Sequence, residues 1–340
     1  MKRSMSLIVV IVLLTAVSFV PCGPLHAQEK VTKLRYADMA PPSHPRSKLT
    51  AEWCKDIEKR TNGMIKISYF PGGTLCPPSQ VYDSVTKGIA DIGSSLMSYS
   101  AGRFPLTEAI SLPLGFRDGY QATKLSNAYY KKFQPKEFAD TKVMTLYAGG
   151  YCRFMTTKPI SKTEDLKGLR IKANAEIVDI VKAVDAAPVT MPVTETYDGL
   201  QKGLLDGILL SVDTLKSYRL GELMKTVLEN HALSYGVGLF VVMNRAKWES
   251  LPKNLQQIVD AVNEEYIEKY AKDWVDGEKE GLDYGISKGV KVVPVSKEEQ
   301  AKWAEKMKPI YDKYVNMTKT KGVPGDEALK FCLDYIKAHP

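Results

Sequence analysis

The sequence is poor in the residues on which catalytic and metal sites depend. Histidine occurs only four times in 340 residues, and the four are scattered along the chain. The five cysteines show none of the spacings of a zinc site. No serine elbow, Cys/His pair or pair of carboxylates in an obvious cleft is present. We therefore expect no enzyme, no metal and no cofactor.

Signals for binding phosphate or nucleic acid are also missing. The glycine-rich segment 71–78 contains neither the Gly-x-x-x-x-Gly-Lys-Ser/Thr nor the Gly-x-Gly-x-x-Gly pattern. The formal net charge is +8 and the pI is near 9.0, but basic and acidic residues alternate along the chain without a block of one sign. Nucleic acid is therefore not an expected partner. The positive charge would instead draw anionic solutes into a cleft.

Only one long apolar run occurs, and it lies at the start of the chain. Residues 7–20 are apolar, Lys2 and Arg3 precede them, and Ala27 follows at a distance typical of a cleavage site. This order is typical of a secretory signal peptide, and the run is shorter than the roughly 20 residues of a spanning helix. We predict a signal peptide over residues 1–27 and export to the periplasm. Cys22 would permit lipidation, but Pro21 before it disfavours that interpretation.

Four cysteines remain in the predicted mature chain. They are Cys54, Cys76, Cys152 and Cys332. An exported protein can form disulfides, and four cysteines allow three complete pairings. A chain of this length can bury its core without such links, so free buried thiols are at least as favoured.

The length and the pattern of apolar segments indicate two α/β domains. Residues 169–173 and 207–211 read as strands that flank helical segments, which predicts a βαβ-type unit with a parallel sheet. Small molecules bind outside the carboxyl ends of such strands. Lys172 and Asn174 leave the first strand at that end, and Ser211 leaves the second. These residues predict half of a ligand-binding cleft.

Further strands and helices follow from the same periodicities. Strands are predicted at 33–37, 64–70, 90–94, 143–148, 232–244 and 290–295. Helices are predicted at 47–60, 79–87 and 120–132, from 252 to about 276, and twice more in the C-terminal tail. Thr61, Asn62 and Gly63 close the first of these helices. The adjacent glycines Gly149 and Gly150 suggest a bend suited to a hinge.

Several motifs together resemble one family. Residues 165–172 read Asp-Leu-Lys-Gly-Leu-Arg-Ile-Lys, and residues 187–207 follow the pattern Ala-Pro-x-x-Met-x-x-x-Glu-x-Tyr-x-x-Leu-Gln-x-Gly-x-x-Asp-Gly. Segments 57–63, 70–75, 88–93 and 102–106 occur earlier in the same order as in that family. The sequence is similar to the DctP-type solute-binding proteins of tripartite ATP-independent periplasmic (TRAP) transporters over nearly the whole mature chain.

The resemblance implies a two-lobed periplasmic-binding-protein fold, with a mixed sheet flanked by helices in each lobe and a long helix spanning both. The expected first lobe comprises residues 28–150 and about 236–276. The expected second lobe comprises residues 151–235 and about 277–340, so that both C-terminal helices return to it. Each lobe is then discontinuous in sequence.

The resemblance also places two cations at the cleft. Arg153 occupies the position of a ligand-contacting arginine, where a guanidinium holds a carboxylate by two parallel hydrogen bonds. Lys172 occupies the position of the arginine that salt-bridges the ligand's carboxylate, and a lysine lacks that two-pronged geometry. Without a ligand role, Arg153 would be an exposed arginine after a strand, and Lys172 a solvated strand end.

A second departure from the family pattern is the apolar run after Asp206-Gly207. Leu210 then gives the pocket an apolar wall, although a buried strand explains it equally well. With it, aromatic and methionine side chains near the cleft would suit an acid with an apolar or aromatic part. Glu195 matches a family position, but together with Thr194 it also suits a helix start. The remaining predicted ligand-binding residues are Met39, Thr74, Met97, Tyr99, Tyr151, Thr194 and Phe240.

The resemblance implies a receptor that closes around a small organic anion, most simply a carboxylate, and delivers it to the small and large membrane subunits of a TRAP transporter. Two alternatives stay open from the sequence. One is a binding protein that serves a sensor kinase or chemoreceptor. The other is a secreted α/β enzyme. The sequence does not identify the solute or the oligomeric state.

Overall fold

The computed structural model describes residues 31–149, 152–174 and 177–340. The predicted signal peptide and Tyr151 lie outside these ranges. The strands form two mixed sheets with helices packed on both. We call the five-stranded sheet with its helices the first lobe and the six-stranded sheet with its helices the second lobe. This confirms the two-lobed α/β fold expected from the sequence.

Along the chain, the first four strands and the tenth join the first sheet, whereas the fifth to ninth strands and the eleventh join the second. The first sheet has the order β2-β1-β3-β10-β4 and the second the order β11-β9-β5-β8-β6-β7. The bounds are β1 Thr32–Asp38, β2 Ile65–Phe70, β3 Ile92–Leu96, β4 Thr141–Gly149, β5 Cys152–Thr156, β6 Arg170–Lys172, β7 Ala187–Val189, β8 Gly207–Ser211, β9 Thr226–Glu229, β10 Val237–Asn244 and β11 Lys291–Pro294.

The helices cover the sheet faces and connect the lobes. Their bounds are α1 Pro45–Arg60, α2 Val81–Thr86, α3 Gly119–Phe133, α4 Val178–Ala183, α5 Thr196–Gln201, α6 Thr214–Ser217, α7 Arg245–Glu249, α8 Lys253–Ser287, α9 Lys297–Thr320 and α10 Gly325–Ala338. None of the helices in the described ranges is both long enough and apolar enough to cross a membrane.

Helix α1 shows how local sequence sets the element bounds. The His44 ring accepts a hydrogen bond from the backbone N–H of Arg46, and Pro45 stands at the first helical position, where its missing N–H costs nothing. At the other end, Asn62 and Gly63 both take positive φ angles of 49° and 78°, and this conformation stops the helix. The predicted closing segment is confirmed.

The two lobes are built from the same repeated unit. Residues 82–91 and 197–206 share the pattern Tyr-Asp-x-x-x-Lys-Gly-x-x-Asp, and each leads from a short helix into a buried strand. In each copy the final aspartate accepts a hydrogen bond from a strand backbone. The Arg35 N–H donates to Asp91 at 2.7 Å, and the Arg170 N–H donates to Asp206 at 3.0 Å.

Strand registers extend this equivalence across both sheets. Ala37 pairs with Phe70 and Gly93, as Lys172 pairs with Val189 and Ile208. Ala37 and Lys172 are therefore equivalent positions. Met39 and Asn174, two residues further on, are equivalent as well. Both lobes consequently aim the carboxyl ends of matching parallel strands at the space between them.

The chain passes between the lobes at two short connections. Strand β4 ends at Gly149 in the first sheet, and β5 begins at Cys152 in the second. Strand β9 ends at Glu229 in the second sheet, and β10 begins at Val237 in the first. Helix α8 packs against α1, α3 and β4 on one side and against α6 on the other, so it spans both lobes as expected. It extends to Ser287, beyond the predicted end near residue 276.

The C-terminal helices differ from their expected placement in the second lobe. In α9, Trp303 and Met307 pack in the core of the second lobe, whereas Tyr314 packs in that of the first. Helix α10 lies against α3, and Ala328 and Cys332 are fully buried in the first-lobe core. An amphipathic helix buries its apolar side wherever a matching surface is available, and that surface belongs here to the first lobe. The other lobe boundaries stay predictions.

The four cysteines in the described chain are all buried, and none of them forms a disulfide. Cys54 and Cys332 lie in apolar clusters of the first lobe, as small hydrophobic side chains do. The interpretation as buried thiols is confirmed, and no disulfide links the lobes within the described residues.

Candidate functional site

A cleft of about 710 Å³ lies between the lobes at the carboxyl ends of the parallel strands. Both lobes contribute residues that directly follow β1, β2, β3, β6 and β7. The first-lobe lining is Met39, Pro41, Gly72, Pro78, Ser79, Ser98 and Tyr99. The second-lobe lining is Asn174, Thr190, Met191, Pro192, Val193, Thr194 and Tyr218. No member of either set carries a formal charge at neutral pH.

Lys172 lies directly behind this lining. It ends β6 and is 0% exposed, so it is not a solvated strand end. Its Nζ donates to Asn174 Oδ1 at 2.6 Å, and Asn174 lines the cleft. Strand β6 places the lysine two residues before the asparagine, and the turn after the strand brings the two polar groups together. The buried ammonium group of Lys172 is therefore connected to the cleft wall by its hydrogen bond to the neutral side-chain amide of Asn174.

Arg153 lies at the same edge of the second sheet. Its side chain is 9% exposed, so the alternative of an exposed arginine is wrong. The Nη2 atom is 3.2 Å from Oε1 of Glu229, which ends β9. Because β5 runs antiparallel to both β8 and β9, the start of β5 meets the ends of these two strands. Cys152 pairs with Ser211 there, so Ser211 is also at this edge, buried.

Four of the predicted residues line the cleft, namely Met39, Tyr99, Asn174 and Thr194. Thr74 is exposed and donates to the Pro71 carbonyl at 2.9 Å, while Gly72 of the same turn reaches the cleft. Met97 lines a separate cavity of about 290 Å³ between the 97–104 segment and α9. Ser98 lines both cavities.

Two predicted pocket residues belong to the cores instead. Phe240 is 0% exposed and makes an edge contact with Tyr82 at a ring distance of 5.4 Å, deep in the first lobe. Leu210 is buried in the apolar cluster beneath the cleft, with Met155 and Ile208. Strand alternation predicts which side of a strand a residue occupies, but not whether a helix covers that side. Here α2 and α5 cover them.

The helix start predicted at Thr194 and Glu195 is observed, because a 3-10 turn over Val193–Glu195 leads into α5, but the predicted side-chain cap is not. Glu195 directly precedes α5, but its side chain makes no capping hydrogen bond.

The sequence did not reveal a charged cluster that joins the lobes beside the cleft. The Arg46 guanidinium, at the start of α1, lies 3.7 Å from the centre of the Trp274 ring in α8. His44 Nε2 is 3.8 Å from Oδ2 of Asp213, which follows β8 in the second lobe. Burial and the charge of Arg46 lower the pKa of His44 to about 3, so the ring is neutral. No motif distinguishes these residues in the sequence.

Burial dominates the electrostatics of this cluster. It raises the pKa of the Asp213 carboxyl above its ordinary value, and the positive charge of Arg46 opposes that rise. Burial also raises the pKa of the cleft-lining Tyr218 to about 12, with the charge of Asp213 adding to the effect. Tyr218 is therefore a neutral hydrogen-bonding group at neutral pH. Within the described ranges, no three histidine, cysteine or acidic side chains are grouped as metal ligands.

The arrangement of two lobes around a cleft agrees with a comparison to known families. The profile of the DctP family, described as bacterial extracellular solute-binding protein, family 7, matches residues 36–317. The chain belongs to the DctP family. A solute-binding protein from Albidiferax ferrireducens is 28% identical to this DctP-family chain over 276 residues, which are 76% of this chain and 78% of that protein.

Solved structures give the same result. A TRAP periplasmic solute binding protein from Desulfovibrio salexigens, in an open complex, is 29% identical, with a TM-score of 0.83 over 90% of this chain and 95% of that one. A TRAP solute binding protein from Rhodoferax ferrireducens, in complex with copurified benzoate, is 24% identical and shares the fold, with a TM-score of 0.83 over 91% and 98% of the chains. The DctP family and these two proteins are solute-binding proteins rather than enzymes.

Proposed function

We propose that the protein is an extracytoplasmic receptor that binds a small organic acid in the interlobe cleft. The observation that carries this proposal is the buried Lys172, which reaches the cleft through Asn174. A cation in such a place favours an anion, since a carboxylate forms a charge-assisted hydrogen bond with an ammonium group. Lys172 also stands at the family position of a carboxylate-binding arginine.

The rest of the acid would contact a largely apolar wall. Met39, Pro41 and Pro78 form the first-lobe side, and Met191 and Val193 form the second-lobe side. Such a lining favours ligands with an alkyl or aryl body, because apolar atoms make up most of the surface that faces the cleft. A protein of the same fold holds benzoate. We therefore expect aromatic or alkyl monocarboxylates to bind more tightly than sugar acids.

Binding would work by closure of the two lobes. A ligand that contacts both walls stabilises the closed arrangement over the open one by the difference in its affinity for the two. The connections at 149–152 and 229–237 are where the backbone would bend. Closure buries the acid and creates the surface that the TRAP membrane subunits would recognise. Such a receptor would act in the periplasm, after cleavage of the predicted signal peptide near Ala27.

A thermal-shift screen of the purified mature protein tests the proposal. The probes are benzoate, phenylacetate, mandelate, pentanoate, pyruvate and gluconate. An acid at a hundred times its dissociation constant adds about 2.7 kcal/mol to the free energy of unfolding, which raises the melting temperature by several degrees. We expect this rise with the aromatic or alkyl acids. If none of the acids raises the melting temperature, the proposal is wrong.

A further inference from the structure

Glu229 supplies a carboxylate to Arg153 from within the chain. The two side chains are joined at 3.2 Å, with Arg153 9% exposed and Glu229 32% exposed. They come from adjacent antiparallel strands, since β5 and β9 pair through Phe154 and Leu228. An arginine buried to this degree is costly unless a carboxylate accompanies it. The pair is therefore a fixed feature of this edge of the second sheet.

This ion pair lies on the same side of the sheet as Lys172. Arg153 pairs with Leu210 of β8, and Lys172 pairs with Ile208 of the same strand. Leu210 and Ile208 are two residues apart on β8, so their side chains point to the same face of the sheet. The side chains of Arg153 and Lys172, which pair with them, point to that face as well. Lys172 and Arg153 are thus two strands apart, roughly 10 Å. If a carboxylate of the ligand is bound at Lys172, a second anionic group of the same ligand would extend along the sheet edge toward Arg153 and Glu229.

The first lobe has an apolar pair at the equivalent place. Phe240 pairs with Ser95 of β3 and with Leu146 of β4, as Arg153 pairs with Leu210 of β8 and lies beside Glu229 of β9. The first lobe thus has Phe240 at the position equivalent to Arg153 and Leu146 at the position equivalent to Glu229. The arginine and the glutamate behave as one unit, present in one lobe and absent from the other.

We propose that Glu229 is a specificity-determining residue that makes the cleft select acids with a single carboxylate. It matches Arg153 internally, and its negative charge opposes a second carboxylate of the ligand. This inference rests on the proposed function, because it presumes that the cleft binds organic acids. It adds that the cleft accepts monocarboxylates and that Glu229 excludes dicarboxylates.

The test compares matched acids that differ by one carboxylate. Dissociation constants for benzoate and isophthalate, and for pentanoate and glutarate, are measured by calorimetry with the wild type, Glu229→Gln and Glu164→Gln. Glu164 is also a second-lobe glutamate in an ion pair, with Lys302 at 3.0 Å, but it precedes β6 and so lies at the opposite end of that strand from the cleft. Glu164→Gln therefore removes one negative charge from the second lobe, as Glu229→Gln does, but at a distance from the cleft.

We expect the wild type to bind each monocarboxylate more tightly than its dicarboxylate. Glu229→Gln should tighten dicarboxylate binding about tenfold relative to monocarboxylate binding, because it removes the negative charge that opposes the second carboxylate. Glu164→Gln should leave the ratio unchanged. An unchanged ratio in Glu229→Gln, an equal change in Glu164→Gln, or a wild type that prefers dicarboxylates would overturn the inference. If no acid binds the wild type, the proposed function itself fails.

Discussion

At the scale of single residues, the lysine at position 172 distinguishes this cleft. An ammonium group is a compact charge with three donors, so it contacts one carboxylate oxygen at a time, whereas a guanidinium holds two. Complete burial fixes the side chain, and the 2.6 Å contact to Asn174 aims it at the cleft. Orientation of the ligand must therefore come from the apolar walls as well as from the cation.

The first prediction concerns this charge. Lys172→Met keeps the length and the apolar stem but removes the donor, so we expect affinity for the best-bound acid to fall about 10- to 100-fold. Calorimetry of the folded variant measures the loss. Lys167→Met, at an exposed position of the same lobe, is the matched control and should bind like the wild type. Undiminished binding by Lys172→Met would remove the lysine from the site.

The second prediction concerns Asp206 and pH. Hydrogen bonds from Arg170 lower the pKa of the Asp206 carboxyl from 3.8 to about 2. A carboxyl with a lowered pKa in the folded state stabilises the fold above its ordinary pKa, and this contribution disappears as the pH falls from about 4 to about 2. Because Arg170 is 46% exposed, solvent screening reduces the contribution to about 1 kcal/mol.

Urea unfolding at several pH values tests this assignment. Asp206→Asn should be about 1 kcal/mol less stable than the wild type at pH 7, and the difference should shrink toward pH 2. Asp140→Asn, at an exposed position, should show no such difference. A gap between Asp206→Asn and the wild type that stays constant with pH would show that geometry, not ionisation, causes the effect.

At the scale of secondary-structure elements, glycines in helix α8 decide how closely it approaches the second lobe. A Cβ atom on Gly281 would lie 2.3 Å from the Val212 carbonyl oxygen and 2.6 Å from the Cα of Asp213, both backbone atoms that cannot step aside. A Cβ on Gly277, one turn earlier, would meet only the Cβ of Asp213 at 3.7 Å, an ordinary contact. Helix α8 therefore packs closely against the residues that follow β8, and Gly281 is the position that allows this contact.

The third prediction uses these two glycines as a pair. Gly281→Ala should destabilise the protein by about 1–3 kcal/mol, because the added methyl group forces α8 away from the strand end. Gly277→Ala should be neutral or slightly stabilising, since alanine favours the helix and space is available. Urea unfolding of both variants measures the difference. Equal effects from the two substitutions would contradict the close packing.

The same glycines explain why the end of α8 was not predicted. Gly277, Gly281 and Gly285 lie in the eleven residues of the helix beyond residue 276, where glycine ordinarily indicates a helix end. Here they allow close contact with another element, which no local pattern shows. By contrast, apolar periodicity was sufficient to find α1, α3 and eight of the eleven strands in the described residues. The strands β5, β7 and β9 were not predicted. Local periodicity predicts an element, and tertiary contacts decide where a long one ends.

The candidate site divides in a similar way. Lys172 ends β6, and Asn174 and Met39 come just after β6 and β1, so these residues lie at the strand ends where the rule for parallel strands predicts a ligand. Phe240 was misplaced because the covering helix α2 is close only in the fold. Arg46 and Trp274 were missed because the two partners of this cation–π pair are 228 positions apart in the sequence. Glu229 was missed for the same reason, since nothing in the sequence links it to Arg153.

At the scale of the whole molecule, several elements cross between the lobes and limit how they can move. Helices α8 and α9 contact both, whereas α10 returns to the first. The shared repeat aims matching strand ends at one cleft, but the second lobe has Lys172 at the position where the first lobe has Ala37. An acid would therefore bind the second lobe first, through Lys172, and then attract the apolar wall of the first lobe by burial of its body.

The fourth prediction follows from this order of contacts. Binding of an acid should close the lobes about the connections at 149–152 and 229–237, so the radius of gyration from small-angle X-ray scattering should fall on addition of the best-bound acid. Lys172→Met at the same acid concentration should keep the larger radius, since it lacks the first contact. Raising the concentration until the variant is saturated should restore the decrease, because closure depends on occupancy. A wild type that binds acid with no change in radius would mean that the cleft is already closed without ligand, and that the membrane subunits must recognise the bound state by another feature.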